Sequence, residues 1–287
     1  MSNTRVGATE IIKNYKGDYT SRPDLLATEE PLEIRVGFGE EHNRREEKLA
    51  VTMRTPGNDA ELAMGFLFTE GIITNAEQVV SALHCENVKP EEKGNVIRVE
   101  LHPEHNFDPA ILQRNFYTNS SCGVCGKSSI ESIHQLCNYI DTDLVIEESY
   151  IRSAPEKLRA GQDVFEHTGG LHAAGLFDKL GQLCFIREDV GRHNAMDKLV
   201  GTALSNSLLP LSEYFILVSG RASFELVQKG AMAGTALMAA VGAPSSLAVN
   251  LAKETGMTLV GFLKMDGFNI YSGIERINLQ ADNYLKV

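Results

Sequence analysis

Apolar and polar residues alternate over 32–38 and again over 48–54, the period-two pattern of a half-buried strand. The residues between, 39–47, are dense in charge, so two strands joined by a charged loop are predicted. Asn58 followed by Glu61 has the form of a capping box. It stands ahead of an amphipathic stretch, 59–70, that Gly71 closes, and a helix is predicted there. A further helix over 76–83, a strand over 96–101 and a helix over 108–116 complete an α+β unit. The second half alternates strand and helix. Residues 171–177 and 182–187 read as a hairpin, 194–204 as a helix, 214–218 as a buried strand and 224–240 as one long apolar helix. Strands over 245–249 and 259–263 follow. Alternation of this kind predicts an α/β layered sheet, with ligands at the carboxyl ends of strands and the amino ends of the helices after them.

The pattern divides the chain into an N-terminal arm with little core-forming character (1–28), a small α+β subdomain (29–117), a short glycine-bearing cysteine loop expected to be mobile (118–127) and a larger α/β domain (128–287). Charge sharpens the division. The 287 residues carry a formal −11, and residues 1–150 hold all of it, with 14 basic and 25 acidic side chains. Residues 151–287 hold 13 of each. A nucleic-acid binder needs a basic footprint and an anionic membrane surface attracts basic segments, so neither partner is expected. No apolar leader segment opens the chain and no apolar run reaches the ~20 residues of a membrane span, so a soluble, cytoplasmic protein is expected. The odd number of cysteines, five, fits thiols in a reducing compartment better than a disulfide framework.

Two of those cysteines form the strongest local signal. Cys122 and Cys125 lie three apart among small residues, with Gly123 and Gly126 beside them and Lys127 at the start of an expected helix. A helix amino-terminus and a lysine favour the thiolate, the nucleophilic form. Four readings stay open on spacing alone: half of a zinc site, a thioredoxin-like redox pair, two small apolar side chains, and a thiol that carries a group such as a persulfide sulfur. Cys85, Cys137 and Cys184 are scattered singly and supply no second pair for a metal, and no metal site is assigned.

Three turns in the second half end a strand and carry cations. The first runs from Arg187 through Glu188, Asp189, Arg192, His193 and Asp197 to Lys198; it is either an anion-binding turn, with the two carboxylates pairing to Arg192 and His193 or taking amine donors, or a salt-bridged one. The second, Ser219 to Glu225, offers hydroxyls and Arg221 at a helix start, the ingredients of a phosphate seat, or else a helix capped by Ser223. The third, Phe262 to Gly267, carries Lys264 and Asp266 after a strand, where an ordinary hairpin is the simple reading. His172, behind Gly169 and Gly170 that suggest a close backbone approach, reads by default as a hydrogen-bonded core histidine. Brought side by side, the turns would form a positive crevice for a phosphate-rich ligand.

In order along the chain, Gly65-Phe-Leu-Phe-Thr-Glu-Gly-Ile-Ile73, Cys122-Gly-Val-Cys-Gly126, Gly170-Leu-His-Ala-Ala174, Glu188-Asp-Val-Gly-Arg-His-Asn194, Ser219-Gly-Arg-Ala-Ser-Phe-Glu225 and Thr258-Leu-Val-Gly-Phe262 resemble the FdhD/NarQ family of sulfur carriers. The resemblance implies a sulfurtransferase that takes persulfide sulfur from a cysteine desulfurase and passes it to the bis-molybdopterin guanine dinucleotide molybdenum cofactor, for formate dehydrogenase. It implies Cys122 as persulfide carrier, with Cys125 assisting. It places a cofactor loop on Phe262, Leu263, Lys264, Met265, Asp266 and Gly267, and Met265 and Gly267 depart from the residues usual in the family. GDP or GMP would mimic the nucleotide part of the cofactor. A homodimer is implied, as is a three-layer core similar to the cytidine-deaminase fold. That fold's zinc residues are missing here: Ala173-Ala174 follow His172, and Ser245 follows Pro244. His172, Arg192, His193, Ser219 and Arg221 are expected near the cofactor. A non-catalytic cofactor chaperone is the alternative function.

Overall fold

The computed structural model describes residues 4–105, 107–108 and 137–279. The chain begins with an antiparallel ribbon, β1 (Val6–Tyr15) and β2 (Asp18–Ala27), turned by Lys16 and Gly17, both at positive φ. That pair matches the right-handed twist of a two-residue hairpin. The expected arm is thus an ordered ribbon, and its lack of core pattern shows as exposure: Ile12, Tyr15 and Tyr19 face solvent. Its base is fixed where Thr28 N donates to the Arg5 carbonyl at 2.9 Å.

A four-stranded sheet follows, ordered β4-β3-β6-β5, from β3 (Glu30–Phe38), β4 (Arg45–Arg54), β5 (Val79–His84) and β6 (Val96–Leu101). Strand β3 pairs parallel with β6 and the other neighbours are antiparallel. Leu32, Ile34 and Val36 alternate into the core, as the sequence pattern requires. Helix α1 (Asp59–Thr69) packs against β5 and β6.

The larger sheet has six strands in the order β13-β12-β11-β10-β8-β9. After β7 (Ile146–Glu147), which pairs with β14 (Ile277–Asn278), come α2 (Glu148–Ala160), α3 (Asp163–Thr168), β8 (His172–Asp178), β9 (Leu183–Asp189) and α4 (Arg192–Ser205). Then follow β10 (Tyr214–Val218), α5 (Phe224–Met232), β11 (Leu237–Ala240), α6 (Ser246–Glu254), β12 (Thr258–Lys264) and β13 (Gly267–Ser272). Strands β10, β11 and β12 are mutually parallel. Strand β8 runs antiparallel to both β10 and β9, so β9 runs with β10. The carboxyl ends of β9, β10, β11 and β12 and the first residue of β8 therefore share one edge.

Helices α1 and α4 cross closely through two glycines. A Cβ on Gly65 would strike the Asp197 carbonyl, and one on Gly201 the Glu61 carbonyl. Either substitution has to push the helices apart, which is a physical reason for glycine at both positions.

Four expectations change. Residues 76–83 form a 3-10 turn (Ala76–Gln78) and then β5, because their apolar run is short and rich in valine, which suits a strand as well as a helix. The apolar stretch 224–240 is α5 and the buried strand β11, broken at Gly234, whose φ is +71°. A run buried on every side carries no period that separates helix from strand. Residues 245–249 open helix α6 instead of forming a strand: Ser245 Oγ accepts from Ala248 N at 3.2 Å, an N-cap. Asn58 makes no capping box; it sits at φ 59° with no side-chain cap hydrogen bond. Of the expected helix over 108–116, only Asp108 lies among the described residues.

Candidate functional site

The shared edge of the large sheet is stitched by backbone hydrogen bonds between successive turns. Val241 N donates to the Val218 carbonyl at 3.1 Å, Gly242 N to Gly220 at 2.9 Å and Phe262 N to Gly242 at 3.1 Å. On the other side, Ser219 N donates to the Ala173 carbonyl, and Ala173 N donates to Ser219 Oγ, both at 2.9 Å. Helices α4, α5 and α6 all begin here, after Gly191, Ser223 and Ser245. Their unsatisfied N–H groups and dipoles make the edge receptive to negative charge. The three cation-bearing turns are thus side by side, as strand alternation suggested.

Arg192, Arg221 and Lys264 have no ion pair or side-chain hydrogen bond among the described residues. The Arg192 Nε is moreover buried without a partner. Arg221 and Lys264 are exposed. The two histidines differ. His193 Nε2 lies 3.3 Å from Ser223 Oγ and 3.7 Å from Glu225 Oε2, so α4 and α5 hold it between their first turns. Burial pushes the Glu225 carboxyl up, but hydrogen bonds from His193, its own backbone and Ser223 outweigh this and keep it below the usual value. His172, half-buried at the start of β8, has no hydrogen-bond partner among the described residues. Burial, Arg192 and His193 push its pKa down, against the opposite pull of Asp189.

The other charges of the first turn are spent on the fold. Asp189 is fully buried and accepts from Thr55 N (3.1 Å), Gly191 N (2.8 Å) and Asn194 Nδ2 (3.1 Å), with Lys198 Nζ at 2.7 Å. Lys198 also donates to the Thr55 carbonyl at 2.8 Å. Burial drives the Lys198 pKa down in spite of Asp189. Glu188 accepts from Val164 N and Phe165 N at the start of α3 (3.2 and 3.0 Å). Arg187 grips Glu61 of α1 with two hydrogen bonds, at 2.6 and 2.7 Å. Asp197 takes Lys229 Nζ at 2.8 Å and Thr69 Oγ1 at 2.8 Å, tying α4 to α5 and α1. Glu188 and Asp189 therefore do not pair with Arg192 or His193. The salt-bridged reading holds for five residues of that turn, and the anion-turn reading stays open for Arg192 and His193 alone. Ser223, expected as a side-chain cap, makes no cap hydrogen bond and faces His193 instead. Ser219 is committed to β8 through its hydroxyl.

In the third turn the backbone bulges between Gly261 and Lys264, and Phe262 takes φ 54°. A left-handed non-glycine residue costs about 1–3 kcal/mol and collects at ligand sites. Phe262 and Met265 are 46% and 58% exposed, whereas Leu263, at 1%, belongs to the core. Phe262, Lys264, Met265 and Asp266 face outward, and Leu263 anchors the loop.

Two contributors had no local signal. Thr55 reaches the Asp189–Lys198 pair from the other sheet, 134 residues away in sequence from Asp189. Glu225 stands in the second turn's motif, but its role depends on α4 lying beside α5. Cys122 and Cys125 lie outside the described residues. Cys85, Cys137 and Cys184 form no disulfide among the described residues. Among the described residues no cluster of three or more His, Cys, Asp or Glu side chains could hold a metal ion, and no helix is long and apolar enough to cross a membrane.

Fold and site together define a mixed α/β protein whose sheet edge gathers, at three helix amino-termini, cations that are unpaired among the described residues. Comparison with known proteins makes this specific: the chain belongs to the FdhD/NarQ family, whose model matches residues 27–278. It is 48% identical to the sulfur carrier protein FdhD of Streptomyces avermitilis over 277 residues, 95% of each chain. It is 42% identical to the protein of the same name from Saccharolobus solfataricus, covering 95% of this chain and 98% of that one. A crystal structure described as that of a formate dehydrogenase accessory protein from Desulfotalea psychrophila aligns with TM-score 0.75 at 25% identity, covering 96% of this chain and all of the other.

Proposed function

We propose that the chain is a sulfurtransferase for formate dehydrogenase maturation, with the bis-molybdopterin guanine dinucleotide molybdenum cofactor as its substrate and a cysteine desulfurase as its sulfur donor. The names of its relatives support the sulfur-carrier role. The observation that carries the substrate is the set of cations, Arg192, Arg221 and Lys264, that are unpaired among the described residues at one strand edge under three helix amino-termini. A ligand with two pyrophosphates matches that charge, and the outward Phe262 ring offers a face on which a guanine can stack. His172, His193 and the 262–267 loop complete the surround. The core layering is read as that of the cytidine-deaminase fold without its zinc, and the protein acts in the cytoplasm as a homodimer.

In the first step the Cys122 thiolate attacks the outer sulfur of the desulfurase persulfide. That S–S bond breaks, its electron pair leaves with the desulfurase thiolate, and Cys122 holds a persulfide. In the second step the Cys122 S–S bond breaks. Its pair stays on Cys122 as thiolate, the substrate supplies the pair that holds the new sulfur, and Cys125 assists or resolves the persulfide.

Incubation with a desulfurase and cysteine is expected to add the mass of one sulfur atom at Cys122. Cys122→Ala is expected to abolish formate dehydrogenase activity in a strain lacking the native protein. Restored activity in that strain would overturn the sulfurtransferase reading and leave a non-catalytic cofactor chaperone.

A further inference from the structure

His172 and Arg192 are polar groups on adjoining elements that the other described residues leave without a side-chain partner. Among the described residues no hydrogen bond or ion pair reaches the His172 ring, and the Arg192 Nε is buried with no acceptor. Buried polar atoms are ordinarily paired, so the orphaned Arg192 Nε points to an acceptor that arrives from outside, and the half-buried His172 ring stands at the same edge. The ring stands at a fixed place. His172 opens β8 opposite Asp189 of β9, and the next residue, Ala173, is bonded to Ser219 in both directions. A Cβ on Gly220 would lie 3.4 Å from His172 Nδ1, so the β10 turn closes against the ring.

We propose that an anionic pyrophosphate ligand binds this edge together with one proton, taken up by His172. The proposal rests on the reading of the edge as the pyrophosphate site of the substrate. Its basis is the charge around the ring. Arg192 and His193 face it from α4 and Asp189 from β9, while Arg221 follows Gly220 on the β10 side. The one carboxylate in that set is already engaged by Lys198 at 2.7 Å. An imidazolium would add positive charge beside Arg192 and Arg221, with the Asp189 carboxylate already held by Lys198, which favours the neutral ring while the edge is unliganded, in line with its lowered pKa. A pyrophosphate reverses the local field. It gives Arg192 its acceptor and makes the imidazolium, with two N–H donors, the favoured form. The proton comes from solvent, and no bond other than N–H is formed.

Linkage fixes the sign. Because the bound ring holds its proton more tightly, affinity strengthens as pH falls from the bound-state pKa toward the free-state pKa, which lies below the ordinary histidine value, and then levels off. The slope is at most about tenfold per pH unit for one proton. A suitable probe is diguanosine pyrophosphate. Each of its phosphates is substituted by a ribose and by the bridging oxygen, and so lacks the second proton that a terminal phosphate loses at about pH 6. Calorimetric titration of the full chain across pH, in two buffers of different ionisation heat, is expected to show uptake of up to one proton and weaker binding at higher pH. His172→Gln is expected to lose both the slope and the uptake while still binding the probe. A pH-independent affinity without proton uptake, or an unchanged slope in His172→Gln, would overturn the proposal even if the probe binds. Absence of binding at every pH would overturn the pyrophosphate-site reading itself. The wild-type uptake measurement stands by itself should the variant fold poorly.

Discussion

Two surfaces of the molecule use similar side chains in opposite ways. On the face of the four-stranded sheet turned away from the core, cations and carboxylates alternate in an unbroken ladder. Lys48 pairs with Glu33 at 3.0 Å, Arg35 bridges Glu33 and Glu46, Arg98 bridges Glu46 (3.3 Å) and Glu100 (2.9 Å), and Arg44 ends it on Glu100 at 2.7 Å. At the edge of the six-stranded sheet, Arg192, Arg221 and Lys264 have no such partners among the described residues. The ladder lies in the acidic half of the chain and the unpaired cations in the neutral half. Overall charge therefore says little about where an anion can bind; what matters is which cations the fold has already matched.

A third set of charges supports the contrast from beneath, and breaking it should produce the largest effect. Asp189 is buried and joins Lys198, Thr55, Gly191 and Asn194, so it docks the end of β4 onto the turn that carries Arg192 and His193. Asp189→Ala leaves the Lys198 ammonium buried without its counter-charge and the Thr55 and Gly191 N–H groups without an acceptor. Removal of one partner of a buried pair costs about 3–5 kcal/mol. Urea unfolding should show a loss of that order. A loss within the range of ordinary surface substitutions would mean that Asp189 does not hold the turn, and that the edge is positioned some other way.

The next effect is on binding and spares stability. Arg221 is exposed and touches no acid among the described residues, so Arg221→Ala should leave the unfolding free energy within about 0.5 kcal/mol of the native value. A charge-assisted hydrogen bond to phosphate is worth about 1.5–3 kcal/mol, so affinity for a guanine nucleotide should fall tenfold or more. Unchanged affinity removes Arg221 from the site and weakens the contrast between matched and unmatched cations.

Much of this arrangement was legible in the sequence, for identifiable reasons. Strands β3, β4, β6, β8, β9 and β10 and helices α1 and α4 carry a period or a clean turn at each end, and they appear where that pattern puts them. Strand β11 and helix α6 were misread because residues 237–240 are buried throughout and Ser245 acts as a cap only once the chain has turned. At the site, the strand-to-helix turns were visible because their chemistry is local. What the sequence could not divide was the charge cluster 187–198. Whether each residue faces the core or the edge depends on Thr55, Glu61 and Lys229, which are distant in sequence and near only after folding.

The smallest effect belongs to the ladder, and it sharpens the comparison from the other side. Arg98→Ala removes one rung, yet Glu46 keeps Arg35 and Glu100 keeps Arg44, so no carboxylate is stranded. The Arg98 side chain is 48% exposed, so solvent screens both of its contacts. Exposed pairs of this kind contribute about 0.2–1 kcal/mol, and urea unfolding should place the variant in that range. The difference should shrink further at about 1 M salt, where the screening length is near 3 Å. Guanine-nucleotide affinity should not change, because every cation at the strand edge is left in place. A fall in affinity comparable to that of Arg221→Ala would show that the matched cations also serve the ligand, and the distinction between the two surfaces would fail.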